Sequence, residues 1–151
     1  MWQMRCRYIN SSGVSQGSNG KSVDLATIPL IIAQLHDCRR IEEQESALSQ
    51  LAAIVDLHVG QSAAELGGKI REYGGIEVLL KILHRPSTSQ AQYSHAAAQD
   101  ALFVISSLAS DTFEKDAKET KKLIHEMGGF QQLLRMIRCA DCPNRSPKHK
   151  V

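Results

Sequence analysis

From Ser22 to Cys139 the apolar positions recur with a helical period, and no segment alternates in the manner of a strand. Ile28, Leu30, Ile31, Ile32 and Leu35 predict a short, heavily buried helix that ends around Asp37. Asp24 or Thr27 can cap it, and Pro29 fits a first turn, where its missing N–H has no partner to lose. Between Ile41 and His58, Ala47, Leu48, Leu51, Ile54 and Val55 form an apolar stripe, with Glu42, Glu43, Glu45 and Gln50 outside it and Gly60 as the stop. Ser62-Ala-Ala-Glu65 has the spacing of a capping box, and Gly67-Gly68 defer regular helix to about Lys69. That helix closes at Gly74-Gly75, and another runs from Ile76 to His84 before Pro86. A polar linker over 87–93 leads into a long helix from about Ala91 to Ser110, with Ala97, Ala98, Ala101, Leu102, Ile105, Leu108 and Ala109 facing inward. Asp111 is placed to cap a helix reaching Met127, and Gly128-Gly129 then open a last short helix, Phe130 to Arg138. The pattern is all-α.

One phrase occurs twice in this series. Ile70-Arg-Glu-Tyr-Gly-Gly-Ile-Glu-Val-Leu-Leu-Lys-Ile-Leu83 returns, 54 positions later and without a gap, as Ile124-His-Glu-Met-Gly-Gly-Phe-Gln-Gln-Leu-Leu-Arg-Met-Ile137. Both glycines and both leucines are kept. Self-similarity of this kind marks a stacked supersecondary unit, and such stacks present surfaces to other macromolecules more often than catalytic pockets.

Composition adds bounds. With 151 residues, 42% of them apolar and only 5% aromatic, the chain can build one core of small and aliphatic side chains. Residues 1–21 are rich in Ser, Gly, Asn and Gln and are expected to be disordered. Residues 22–139 form the expected helical domain, and 140–151 a basic flexible tail. The net charge of +2 is too small to argue for nucleic acid by itself, and nucleic acid is not the expected main partner. No apolar run approaches the roughly 20 residues of a membrane span, and Met1–Tyr8 does not resemble a secretory signal. Cys6, Cys38, Cys139 and Cys142 are scattered, which fits reduced thiols in the cytoplasm or the nucleus.

The order short helix, Gly-Gly turn, short apolar helix, loop, long Ala/Leu helix resembles the armadillo repeat. Gly75-Ile76-Glu-Val-Leu79-Leu80-Lys-Ile-Leu83 matches that family's second helix. Ala47-Leu48-Ser-Gln-Leu51-Ala52 and, more loosely, Ile105-Ser-Ser-Leu108-Ala109 match its third. The HEAT repeat is the nearest confusable family, with a length of ~40–47 residues. The resemblance implies a right-handed α-solenoid holding a partial unit (22–59), a full unit (62–110) and a partial unit (111–139). It also implies a concave groove lined by the third helices. The family's peptide-gripping asparagine is replaced by Gln50 in one unit and by Ser107, or Val104 in a shifted register, in the next.

A protein partner is therefore expected, with no enzyme activity, cofactor or metal. Gln99, Phe103, Ser106 and Ser110 share one helix face. Phe103 is either an exposed anchor for a partner or packed between helices. With no third helix following them, Phe130, Leu133, Leu134 and Ile137 predict a partner-facing or self-associating C-terminal surface. The candidate binding residues are thus Gln50, Gln99, Phe103, Ser106, Ser107, Phe130 and Leu134. Two other readings stay open: a nucleic-acid-associated factor using Lys118, Lys121, Lys122 and the basic tail, and the substrate-recognition part of a ubiquitin ligase. Cys139-Ala-Asp-Cys142 has a metal-site spacing but lacks further ligands. Ser15–Ser22 lacks the first glycine of a phosphate loop, and His125-Glu126 lacks a second histidine. No serine, cysteine or carboxylate has a base at a catalytic spacing.

Overall fold

A computed structural model describes residues 25–58, 60–84 and 94–140, with side chains to Arg135. The expectations for 1–21, for the 87–93 linker, for the tail beyond Ala140, and for Cys6, Cys142 and the Ser15–Ser22 stretch lie outside the described residues. Those residues form seven helices and no strand: α1 Thr27–Asp37, α2 Ile41–Leu57, α3 Gln61–Glu72, α4 Gly75–Leu83, α5 His95–Leu108, α6 Ala117–Glu126 and α7 Gly129–Ala140. α2 packs along α5, α1 against α2, α3 and α4, and α4 against α5 and α6. One aliphatic core unites them, from Ile28 and Ile32 in α1 through Leu48, Leu51, Ile70, Ile76, Leu79 and Leu108 to Ile124 in α6.

Several boundaries differ from expectation, each for a local reason. α1 begins at Thr27, with Ala26 in the capping position. α3 is preceded by Gly60 at φ 70°, so Ser62 lies inside the first turn and Ser62–Glu65 is no capping box. α3 also runs unbroken through Gly67 and Gly68. α5 starts at His95, because Ser94 is extended and its side chain accepts a hydrogen bond from the Ala97 N–H at 3.0 Å as a helix cap. α6 starts at Ala117. Residues 111–116 turn instead of coiling, and Asp111 pairs with Lys121 at 2.7 Å.

The duplicated phrase folds the same way twice. Gly74 and Gly128 take φ of 73° and 68°, a left-handed conformation that glycine adopts without penalty. The Gly74 N–H donates to Arg71 at 3.1 Å, and the Gly128 N–H to His125 at 3.0 Å. One residue earlier, Tyr73 donates to Lys69 and Met127 to Leu123. These reversals end α3 and α6 by satisfying carbonyls that a helix end leaves open. The second glycines sit in matching seats. A Cβ on Gly75 would lie 2.6 Å from Ile70 Cγ2 and 3.1 Å from Ile32 Cδ1 of α1. A Cβ on Gly129 would lie 2.9 Å from Ile124 Cγ2 and 2.9 Å from both Leu80 methyls of α4. Ile70 and Ile124 are copies of each other, and Ile32 stands to Gly75 as Leu80 stands to Gly129.

That equivalence extends the register to α1. Ile28, Ile31, Ile32, Leu35 and His36 correspond to Ile76, Leu79, Leu80, Leu83 and His84, an offset of 48 positions. The correspondence is hidden in the sequence because α1 has no Gly-Gly turn before it.

Candidate functional site

α5 turns its small and aliphatic side chains inward: Ala97, Ala98, Ala101, Val104, Ile105 and Leu108 are buried. Gln99, Phe103 and Ser106 fall on the opposite side at helical spacing, and all three are exposed. Of the two environments open to Phe103, the structure has the exposed one, with 40% of its surface accessible. Leu102 is exposed as well, contrary to its expected inward direction. At ~100° per residue it lies beyond the edge of the stripe centred on Ala101 and Ile105. Ser107 and Ser110 are half-buried. Ser106 donates its hydroxyl proton to the Phe103 carbonyl at 2.9 Å. The helix start is fixed by Ser94, which caps α5 and also donates to Glu45 of α2, tying the two long helices together at one end.

Gln50 is exposed but belongs elsewhere. It lines a groove between α1 and α2 with Thr27, Leu30, Ile31, Gln34, Ala53, Ile54 and Leu57, and none of the α5 candidates lines it. Leu30 and Leu57 are 71% and 69% exposed on this groove. Leu30 was expected in the core. Its place is nonetheless legible, since at ~100° per residue it lies roughly opposite the Ile28–Ile32–Leu35 stripe. Leu57 falls off the α2 stripe by the same count.

A third apolar area lies on α7. Phe130 and Leu134 are each 45% exposed, beside Met127, while Leu133 packs partly against the core. The Phe130 ring meets the His125 ring edge-on, with centroids 6.3 Å apart. Ile137 and Cys139 lie in α7, with their side chains outside the description.

The main polar feature of the interior was missed by sequence reasoning. Glu114, in the loop before α6, is 2% exposed. Its carboxylate accepts from the Arg71 guanidinium of α3 and from the Thr120 hydroxyl of α6, while Arg71 also donates to Thr120 at 2.8 Å. The other carboxylate oxygen is buried with no hydrogen-bond partner among the described residues. Gly67 makes room for it, since a Cβ there would overlap the carboxylate. Burial pushes the Glu114 carboxyl above the usual carboxylate range, with Arg71 pulling the other way. Through its hydrogen bonds Glu114 joins Arg71 of α3 to Thr120 of α6. Nearby, Lys115 donates to Gln61 at 3.2 Å.

Chemically, the accessible surface offers apolar side chains flanked by amides and hydroxyls. Lys121 is paired with Asp111 and Lys122 approaches Glu126 at 4.0 Å. Among the described residues, no group of three His, Cys, Asp or Glu side chains is placed to hold a metal ion. No helix among them is long and apolar enough to cross a membrane. Comparison of the chain with models of known families, with curated proteins and with solved structures returns no match.

Proposed function

We propose that the chain is a non-enzymatic protein-interaction module, built as a short right-handed α-solenoid of armadillo type, that takes a partner segment on the outer face of α5. One observation carries this reading. The two Gly-Gly turns have the same backbone conformation, and their second glycines press on equivalent residues of the preceding element. Elements that stack in this way bury each other's apolar faces and leave the long helices side by side. α2 and α5 do lie side by side, joined by Ser94 and Glu45.

The face so presented has an exposed aromatic, Phe103, an aliphatic neighbour, Leu102, and the hydrogen-bonding groups of Gln99 and Ser106. A buried aromatic anchor with a polar surround is the usual composition of a binding hot spot. The partner that fits is a protein segment with an apolar side chain to set against Phe103.

Selection of binding peptides from a displayed random library tests the proposal. The selected peptides should share an apolar residue, and Phe103→Ala should weaken them by about thirtyfold or more, the hot-spot range. Leu30→Ser, in the separate α1–α2 groove, should leave them unchanged. Peptides that bind Phe103→Ala as well as the parent would refute the assignment of the α5 face.

A further inference from the structure

Three equivalent helices, α1, α4 and α7, occupy successive positions in the chain, and their matching residues differ in exposure in an ordered way. Consider the side of each helix that meets the following element. Ile28 and Ile32 of α1 are buried, as are their counterparts Ile76 and Leu80 of α4. Ile32 lies beneath Gly75 of α4, and Leu80 beneath Gly129 of α7, whose Gln132 also donates to the Leu80 carbonyl. The counterparts in α7 are Phe130 and Leu134, each 45% exposed.

The side that meets the preceding element shows the reverse. Val78 of α4 is buried and lines a cleft with Leu35 and His36 of α1 and with Cys38 at the end of that helix. Its counterpart in α7, Gln132, is half-buried and bonded to α4. The counterpart in α1 is Leu30, which is 71% exposed. The groove around Leu30 continues the same apolar surface through Ile31, Ala53, Ile54 and Leu57.

Each end of the described fold thus displays the half of an interface whose other half is displayed at the opposite end. We infer that this chain associates head to tail, the α1–α2 groove of one copy, with Leu30 and Leu57, seating on the α7 face of a second, with Phe130 and Leu134. The contact copies the one that α4 makes on α1 and α7 on α4. Such an interface is heterologous: it uses two different patches, so it adds copies in series and closes only if the rotation between them allows a ring. The inference rests on the stacked-unit reading above but uses neither Phe103 nor the α5 face.

The test uses the full chain in sedimentation velocity over a range of concentrations. The parent should show a mass that rises with concentration past the dimer. Leu30→Glu blocks one patch and Phe130→Glu the other, so each variant alone should remain monomeric. Mixed in equal amounts they should form a dimer and nothing larger, because only one productive pair of patches survives. Phe103→Ala should associate as the parent does, which separates this surface from the α5 face. Circular dichroism establishes that each variant is folded, and Leu57→Lys with Leu134→Lys provides a second pair at equally exposed positions. A parent that is monomeric throughout, a mixture that stays monomeric, or a single variant that dimerises by itself would each overturn the inference. The first outcome would point to another segment of the same chain covering the patches. The last would point to a two-fold contact through one patch.

Discussion

Replacing either second glycine by alanine adds one methyl group, and the two seats do not tolerate it equally. At Gly75 the methyl would meet Ile70 Cγ2 at 2.6 Å, the Ile70 carbonyl oxygen at 2.8 Å and Ile32 Cδ1 at 3.1 Å. Optimal carbon–carbon contact lies near 3.5–4.0 Å, and a carbonyl fixed in α3 cannot rotate aside. The turn or the α1–α4 packing must open. At Gly129 all three nearest atoms, at 2.9 Å, are methyl carbons of Ile124 and Leu80, and these can shift by rotating. Overpacking of this kind costs roughly 1–3 kcal/mol, offset in part by the lower conformational entropy of alanine in the unfolded chain, about 0.4–1 kcal/mol. Taking the middle and the foot of that overpacking range and subtracting the offset, Gly75→Ala should lose about 1.3 kcal/mol and Gly129→Ala about 0.5 kcal/mol or less. Urea titration followed by far-UV circular dichroism measures both differences, and the larger should lower the melting temperature by roughly 5 °C. A Gly75→Ala chain as stable as the parent, or less affected than Gly129→Ala, would refute the reasoning from the seats.

Three further outcomes follow from the polar contacts. Arg71→Met should leave the Glu114 carboxylate buried without its cation and cost about 3–5 kcal/mol, whereas Arg71→Met combined with Glu114→Leu should recover most of the loss. Urea unfolding of the two variants checks this. Because burial raises the folded-state value of Glu114, its contribution to stability is fully present below the ordinary carboxylate range. It falls as pH rises through the raised value, where the folded form must release a proton that it holds more tightly than the unfolded chain does. Glu114→Gln should flatten that part of the stability–pH profile in thermal melts. Ser94→Ala removes the α5 cap and the bond to Glu45 and should cost about 1 kcal/mol in the same urea assay.

How much of this was legible in the sequence varies from element to element. The stripes of α2 and α5 and the two Gly-Gly turns were legible, because burial of a long apolar face and a left-handed glycine leave periodic, local signatures. Phe103 lies off its stripe, yet the period leaves it either exposed or packed between helices, and the structure decides for exposure. Leu30 and Leu102 are exposed despite their apolar character, because the angle each makes with its neighbours sets it outside the stripe. The errors at α3 and α6 have one common cause. From the sequence, Gly67 is a weak point in a helix and Asp111 a cap. In the structure Gly67 is small because a carboxylate from 47 positions onward in the chain rests on it, and drawing Glu114 inward keeps 111–116 out of the helix. A contact over that distance leaves no periodic trace. The groove that claims Gln50 is likewise formed by two helices, and only their packing shows it.

Cross-relaxation between glycine protons and methyl groups, on a sample labelled at isoleucine and leucine methyls, examines the duplicated seats themselves. The account predicts a pair of matching contacts: Gly75 Hα to the Ile32 δ1 methyl, and Gly129 Hα to the Leu80 methyls. The accompanying contacts to the γ2 methyls of Ile70 and Ile124 should be of similar strength. A strong Gly75–Ile32 contact with no Gly129–Leu80 counterpart, or the reverse, would show that the two copies of the phrase are lodged differently and would contradict the account.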